Sequence, residues 1–405
     1  MDQSFNKIIV FITTTFLILI NFTPTISADQ ETQDFDLDDP LFDLKIKLFM
    51  RLACFPSISV CIIKNDSIVW HKGYGKAKFF PPIKPTLDTI YPIGSISKTF
   101  TATALMQLFE QGKFDLDDNV NDYLNFEVKN PNFPNENITF RMLLAHQSSL
   151  SGLTQYTQIS SFIFDLRFTY LFYKERCLYP YPLIKELITT EGYLYWPINW
   201  EDYPPGKNCS YSNFGYILLE HLVEVLSGES YTDYITENIF KPLNMTNSSF
   251  FYKDLNRKNL AFSYFNIGRV YIRLPFIDIP YGIGGIKTSM RELSHYAIVH
   301  KDGGIWNGNR ILNESTVELM HTHQYPNYSL ETGLGVKFGL GWGIHPGHEG
   351  HYGHVPGGSS FLIVNKTHNY SIVFSINNYI LFSKPIVAFS INKIMDFFCL
   401  KAESY

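Results

Sequence analysis

The sequence has no basic run of the kind that tracks a phosphate backbone and no glycine-rich phosphate loop, so nothing in it argues for nucleic acid as a partner. Internal repeats and long low-complexity tracts are missing too. Cysteine is scarce. The five that occur have no metal-ligand spacing, and in an oxidising compartment at least one stays unpaired or pairs between molecules. Beyond Ile20 no segment reads as a membrane span. Ile372 to Leu381 is apolar, but Ser375, Asn377 and Asn378 interrupt it, as in a buried strand. What remains is a 405-residue chain, 45% hydrophobic with a formal net charge of −5, the profile of a globular enzyme with a sizeable core.

The N-terminus points to a compartment. Lys7 precedes a largely apolar run, Ile8 to Ile20, and Thr25-Ile26-Ser27-Ala28 offers small residues at a cleavage point. The run is short for a spanning helix, which favours a signal peptide over residues 1–28 rather than an anchor. Residues 29–40 follow as a flexible acidic stretch, and 41–400 make the folded domain. Asn-x-Ser/Thr acceptors at Asn65, Asn137, Asn208, Asn244, Asn247, Asn313, Asn327, Asn365 and Asn369 fit a glycoprotein. Together these predict a chain that is secreted or held in the lumen of the secretory or endolysosomal pathway.

Three short motifs carry chemistry. In Gly94-Ser95-Ile96-Ser97-Lys98, Ser95 and Lys98 share one face at the first turn of a predicted helix that runs through Leu105 and Leu108 to Gly112. First-turn amides lack intrahelical partners, so the Ser95 N–H is free for an oxyanion, and the helix dipole disfavours a protonated Lys98. In Tyr211-Ser212-Asn213 the outer two side chains point the same way in an extended stretch. A phenol beside an ammonium has its pKa lowered and shuttles protons, and the Asn213 amide can hold a carbonyl. In Gly350-His351-Tyr352-Gly353, His351 begins a strand whose edge a substrate can approach at Gly353, and His354 follows with a second backbone N–H. His345, His348, His351 and His354 recur every third residue, with Glu349 among them. The interspersed glycines and Pro346 argue against a helix that would gather them on one metal-binding face.

In this order the motifs resemble the class C beta-lactamase-related family of penicillin-binding serine hydrolases, which includes DD-peptidases, esterases and amide hydrolases. Leu143-Leu144-Ala145-His146-Gln147-Ser148, Pro205-Gly206, Phe240-Lys241-Pro242-Leu243-Asn244-Met245, Gly284-Gly285-Ile286-Lys287-Thr288-Ser289 and Gly339-Leu340-Gly341-Trp342 resemble further landmarks, and the likeness spans about Ile58 to Asn377. The resemblance implies catalytic roles for Ser95 (acylated), Lys98 and Tyr211, with Lys98 and Tyr211 a coupled pair in which either is the base. It makes Asn213, His351, Gly353 and His354 substrate-binding, the Ser95 and His354 amides forming the oxyanion hole. No cofactor and no metal is called for. Histidine at 351, where many members carry lysine, removes a fixed charge and favours an ester or peptide-like amide over a penicillin. The implied fold is α+β: an antiparallel sheet flanked by terminal helices, with an inserted helical subdomain at about 89–287. That insertion includes an aromatic cap at 160–200. Cys177 with Cys209, and Cys54 with Cys61 or Cys399, are the disulfides such a fold would bring within reach. The leading reading is a secreted serine hydrolase. The alternatives are a catalytically inactive binding or scaffold protein that keeps the fold, and a metal-dependent hydrolase using the histidine series.

Overall fold

Alternation along the strands decides which layer each residue joins. On β1 (Ser57–Lys64), Ile58, Val60 and Ile62 enter one apolar layer while Cys61 and Ile63 enter the other, the period of two that a strand buried on both faces imposes. β12 (Gly358–Asn365) divides Phe361 and Ile363 from Leu362 and Val364 in the same way. The computed structural model, which describes residues 40–151, 180–279, 281–325, 337–379 and 384–405, builds these strands into a seven-stranded sheet. Its order is β2 (Ser67–Gly75), β1, β13 (Tyr370–Ile376), β12, β11 (His348–Val355), β10 (Gly343–His345) and β9 (Lys337–Phe338). Every neighbouring pair is antiparallel. Three two-stranded ribbons accompany it: β3 (Ile90–Pro92) with β6 (Lys287–Ser289), β4 (Tyr264–Ile267) with β5 (Val270–Arg273), and β7 (Ile305–Trp306) with β8 (Asn309–Arg310).

The terminal helices cover one face of the sheet. α1 (Pro40–Ala53) turns Phe42, Ile46 and Met50 inward, and α9 (Pro385–Glu403) adds Ile391, Ile394 and Phe398. The other face packs against the larger cluster, to which α2 (Ser97–Glu110), α3 (Phe140–Leu144), α4 (Pro180–Ile188), α5 (Asn213–Ser227), α6 (Tyr231–Ile235), α7 (Met290–Lys301) and α8 (Glu314–Met320) contribute. α2 is buried almost all round, from Ser97 to Leu108, and α5 stops at Gly228 with φ 76°, a left-handed C-cap that glycine accepts without strain. The α+β architecture and both terminal helices stand as the sequence predicts. β11 starts three residues ahead of His351, because the Pro346-Gly347 turn sets the β10–β11 register with His345 opposite His348.

Several expectations do not survive. Cys54, Cys61 and Cys399 are free thiols, as is Cys209. Cys61 packs in the helical layer, on the face of the sheet opposite α1, at whose C-terminal end Cys54 lies, so the sheet separates that pair. Asn365 is 2% exposed and accepts from the His368 N–H at 2.8 Å, so the fold presents no acceptor there. Residues 1–28, the acidic stretch to Asp39, Cys177, Asn327 and residues 160–179 of the cap lie outside the described residues. Of the cap, the remainder anchors Trp200, whose indole N–H donates to the Ile188 carbonyl at 3.0 Å.

Candidate active site

A glycine in the left-handed region starts the site. Gly94 has φ 55°, a conformation that costs other residues, and carries the chain from β3 into a 3₁₀ turn, Gly94–Ile96, ahead of α2. Ser95 therefore lies in this tighter turn rather than in the first α-helical turn, while Lys98 stands just inside α2; the three-residue spacing still faces them together. Lys98 is 0% exposed. Its Nζ donates to Ser95 Oγ at 3.1 Å and to the Ile283 carbonyl at 2.9 Å. Ser95 itself is half-buried, so a buried amine sits beneath a hydroxyl that a substrate can reach.

Tyr211 arrives from the start of α5. Ser212 caps that helix, its Oγ accepting from the Gly215 N–H at 2.9 Å, which puts Tyr211 just before the helix and Asn213, half-buried, at its first residue. The Lys98 ammonium lies 5.0 Å from the Tyr211 ring centroid and 5.8 Å from that of Tyr216. The Tyr211 hydroxyl is inaccessible, and burial pushes the phenol above its ordinary range, with Ser95 as the polar neighbour pulling the other way. The two hydroxyls do not reach hydrogen-bonding geometry. The lowered phenol predicted from sequence is thus overturned: the ammonium faces the ring rather than the oxygen, and desolvation dominates.

The sheet supplies the other wall. The His351 ring lies 6.1 Å from that of Tyr211. Its Nδ1–H donates to the Tyr352 carbonyl at 2.9 Å, leaving Nε2 as the acceptor nitrogen. Burial, reinforced by Lys98, pushes His351 down to about 3, so the ring is neutral at ordinary pH. Gly353 and Gly94 allow the turn and strand to close together. A Cβ on Gly353 would lie 1.8 Å from the Ile93 carbonyl oxygen and 3.0 Å from the Ser95 nitrogen, and one on Gly94 would lie 2.8 Å from the His354 nitrogen. The Ser95 and His354 amides therefore flank one contact that only glycines permit. The remaining histidines serve elsewhere: on a strand of period two, His348 and His354 face opposite to His351. His354 Nδ1 meets Ser359 Oγ at 3.1 Å, and His345 stacks on His348 at 4.9 Å. Among the described residues no group of three His, Cys, Asp or Glu could hold a metal ion.

Three contributors escaped the sequence reading. His146, with φ 58°, accepts from the Ser212 N–H at 3.0 Å through Nδ1 and packs its ring, tilted, 4.4 Å from that of Tyr211. Burial first, then Lys98 and His351, hold it well below its usual range. Glu220, 0% exposed on α5, accepts from the Gly282 N–H at 2.8 Å. Burial pushes its carboxyl well up. That contact holds the turn Tyr281–Gly285, and so holds the third contributor, the Ile283 carbonyl on which Lys98 rests. Thr101 Oγ1 secures the same turn at the Gly282 carbonyl, 3.1 Å away.

A Ser-x-x-Lys at the entry to one helix, a tyrosine just ahead of a second and a strand glycine, meeting beside an antiparallel sheet, define a serine hydrolase of the beta-lactamase and penicillin-binding type. The chain belongs to the beta-lactamase family: the profile described as Beta-lactamase matches residues 42–380. PbpX of Bacillus subtilis (strain 168), named for penicillin binding, is 29% identical over 79% of this chain and 69% of its own length. Protein flp of Staphylococcus aureus (strain COL) is 30% identical over 51% of this chain, which spans only 37% of that protein. The octameric penicillin-binding protein homologue from Pyrococcus abyssi superposes with a TM-score of 0.67 at 25% identity, covering 89% of this chain and 78% of that one. A class C beta-lactamase mutant shares the fold, with a TM-score of 0.62 at 18% identity over 88% of this chain and 98% of its own.

Proposed function

We propose that the chain cleaves an ester or amide through an acyl-enzyme on Ser95. The observation that carries this is the Lys98 amine, fully buried and 3.1 Å from the Ser95 hydroxyl. In its uncharged form it takes the Ser95 proton as Oγ adds to the substrate carbonyl carbon, and the developing oxyanion meets the Ser95 and His354 N–H groups. Tyr211, kept protonated by burial, donates to the leaving group as the carbonyl re-forms, and the Lys98 proton refills it. Water then enters, gives up a proton along the same path, and releases the acid and free Ser95. Asn213 holds the substrate carbonyl side, while His351 and Gly353 line the strand edge.

The neutral imidazole at His351 offers a substrate carboxylate no fixed charge, which supports an ester or peptide-like amide substrate over a penicillin. The apolar run at Ile8 to Ile20 and the acceptor asparagines support secretion with glycosylation. A panel of chromogenic esters and D-amino-acid amides tests the reading. Ser95→Ala keeps the melting temperature and loses turnover; turnover unchanged in that variant contradicts it.

A further inference from the structure

Helix α1 is apolar on two sides. Phe42, Ile46, Met50 and Ala53 face the sheet, yet Leu41, Leu44, Leu48 and Leu52 are 54%, 62%, 51% and 44% exposed, and their spacing aligns them as one outward stripe. Two other elements present apolar tips. Ile267 and Val270 flank the β4–β5 turn at 64% and 66% exposure, and Phe80 stands 88% exposed on the neighbouring loop. The three elements are continuous: Tyr271 on β5 stacks 4.9 Å from Phe79, and with Arg269 it lines a cavity of about 340 Å³ whose opposite wall is Lys47, Met50 and Arg51 of α1. No carboxylate lines that cavity. Among the described residues Lys47, Arg51 and Arg269 make no ion pair, and Asp43, the acid on α1, pairs with Lys72 at 2.8 Å.

We propose that α1, the β4–β5 turn and the Phe80 loop form a docking surface for an anionic phospholipid bilayer, with Lys47, Arg51 and Arg269 receiving headgroup phosphate. Single exposed apolar side chains are ordinary on a protein surface, but tips converging from three elements around a cationic cavity are not. Protruding leucines, a turn and a phenylalanine insert shallowly into an interface while cations stay at headgroup level. The charge is local: the chain as a whole is −5. The contact is peripheral, since no helix among the described residues is long and apolar enough to cross a membrane.

Flotation of the chain, purified from a secretory eukaryotic host, tests this with vesicles of phosphatidylcholine alone and of phosphatidylcholine with phosphatidylserine. The expected result is binding to the phosphatidylserine vesicles that weakens with salt. A Leu44→Gln/Leu48→Gln variant should bind at least about tenfold more weakly, and Arg51→Gln/Arg269→Gln should lose the preference for phosphatidylserine. All four side chains are exposed, so thermal melts should match wild type in both variants. Wild type that floats with neither vesicle overturns the proposal. So does a leucine variant that floats like wild type, which would assign the binding to the upstream apolar run. A wild-type dimer that the leucine variant dissolves, without flotation, would assign the stripe to a second copy of the chain and overturn it as well.

Discussion

Replacing Gly353 by alanine adds a methyl group 1.8 Å from the Ile93 carbonyl oxygen and 3.0 Å from the Ser95 nitrogen. An ordinary carbon–oxygen contact requires a separation larger by roughly 1.5 Å. β11 cannot supply that movement alone, because its pairing with β12, where Gly353 lies opposite Ser360, holds it in the sheet. The turn at Gly94–Ile96 must yield instead, carrying the Ser95 amide away from that of His354. Overpacking of this kind costs about 1–3 kcal/mol of stability. Loss of one oxyanion donor costs roughly 10²–10³ in kcat. Because that interaction strengthens only in the transition state, KM should stay close to wild type while kcat falls. Steady-state kinetics on the best ester of the panel, with a thermal melt of the same sample, read both effects. A variant with a lowered melting temperature and wild-type kcat would refute the reasoning, since the contact would then be structural alone.

Other consequences follow from the same geometry. Lys98→Met fills a fully buried site with an apolar side chain of similar length, so the fold should persist while single-turnover acylation falls by about 10³ or more; a loss within about tenfold would mean Lys98 is not the proton acceptor. Glu220→Gln keeps an acceptor oxygen for the Gly282 N–H and should leave kcat within about threefold, whereas Glu220→Ala frees the turn beneath Lys98 and should lower kcat by about tenfold or more. Equal kinetics for the two variants would remove Glu220 from the support of Lys98. Acidification should destabilise the protein. Burial pushes His345, His348 and His354 down to about 4 and His351 to about 3, and holds His146, His300 and His321 well below their usual range. The unfolded chain therefore binds these protons first. Their contribution is present in full above about pH 6.5 and is lost as pH falls from there toward the folded values, each proton adding a slope of about 1.4 kcal/mol per pH unit. Glu220, Glu292 and Glu349, pushed up by burial, and Asp302, pushed up to about 6, act in the opposite sense but are fewer. A urea midpoint at pH 5 equal to or above that at pH 7 would contradict this.

Local patterns carried the fold and the outline of the site. The helical period through Leu105 and Leu108 and the apolar strand from Ile372 are properties of neighbouring residues, and both stand, in α2 and β13. Ser95 with Lys98, and Tyr211 with Asn213, are linked by short spacings that survive folding even though a 3₁₀ turn replaced the expected helical start. What sequence left hidden depends on distant contacts. Glu220 reads as one polar position in an apolar helix until Gly282, far along the chain, arrives at its carboxylate. His146 matters through the Ser212 amide and the Tyr211 ring, and Ile283 contributes a backbone carbonyl that no side-chain motif announces. The direction of the Tyr211 shift was misjudged because proximity to an ammonium was legible, while the orientation of that ammonium over the ring and the depth of burial were not. The Cys54–Cys61 pairing failed because spacing along a helix and a strand says nothing of the sheet that lies between them.

The central claim is that Ser95 is an activated nucleophile, and intact-mass analysis of the deglycosylated protein tests it most directly. Incubation with a fluorophosphonate should add one adduct, peptide mapping should place it on Ser95, and Ser95→Ala should stay unlabelled. A labelled penicillin should react more slowly, given the uncharged His351. Folded wild-type protein that gains no adduct from either probe, or an adduct that persists in Ser95→Ala, would contradict the account.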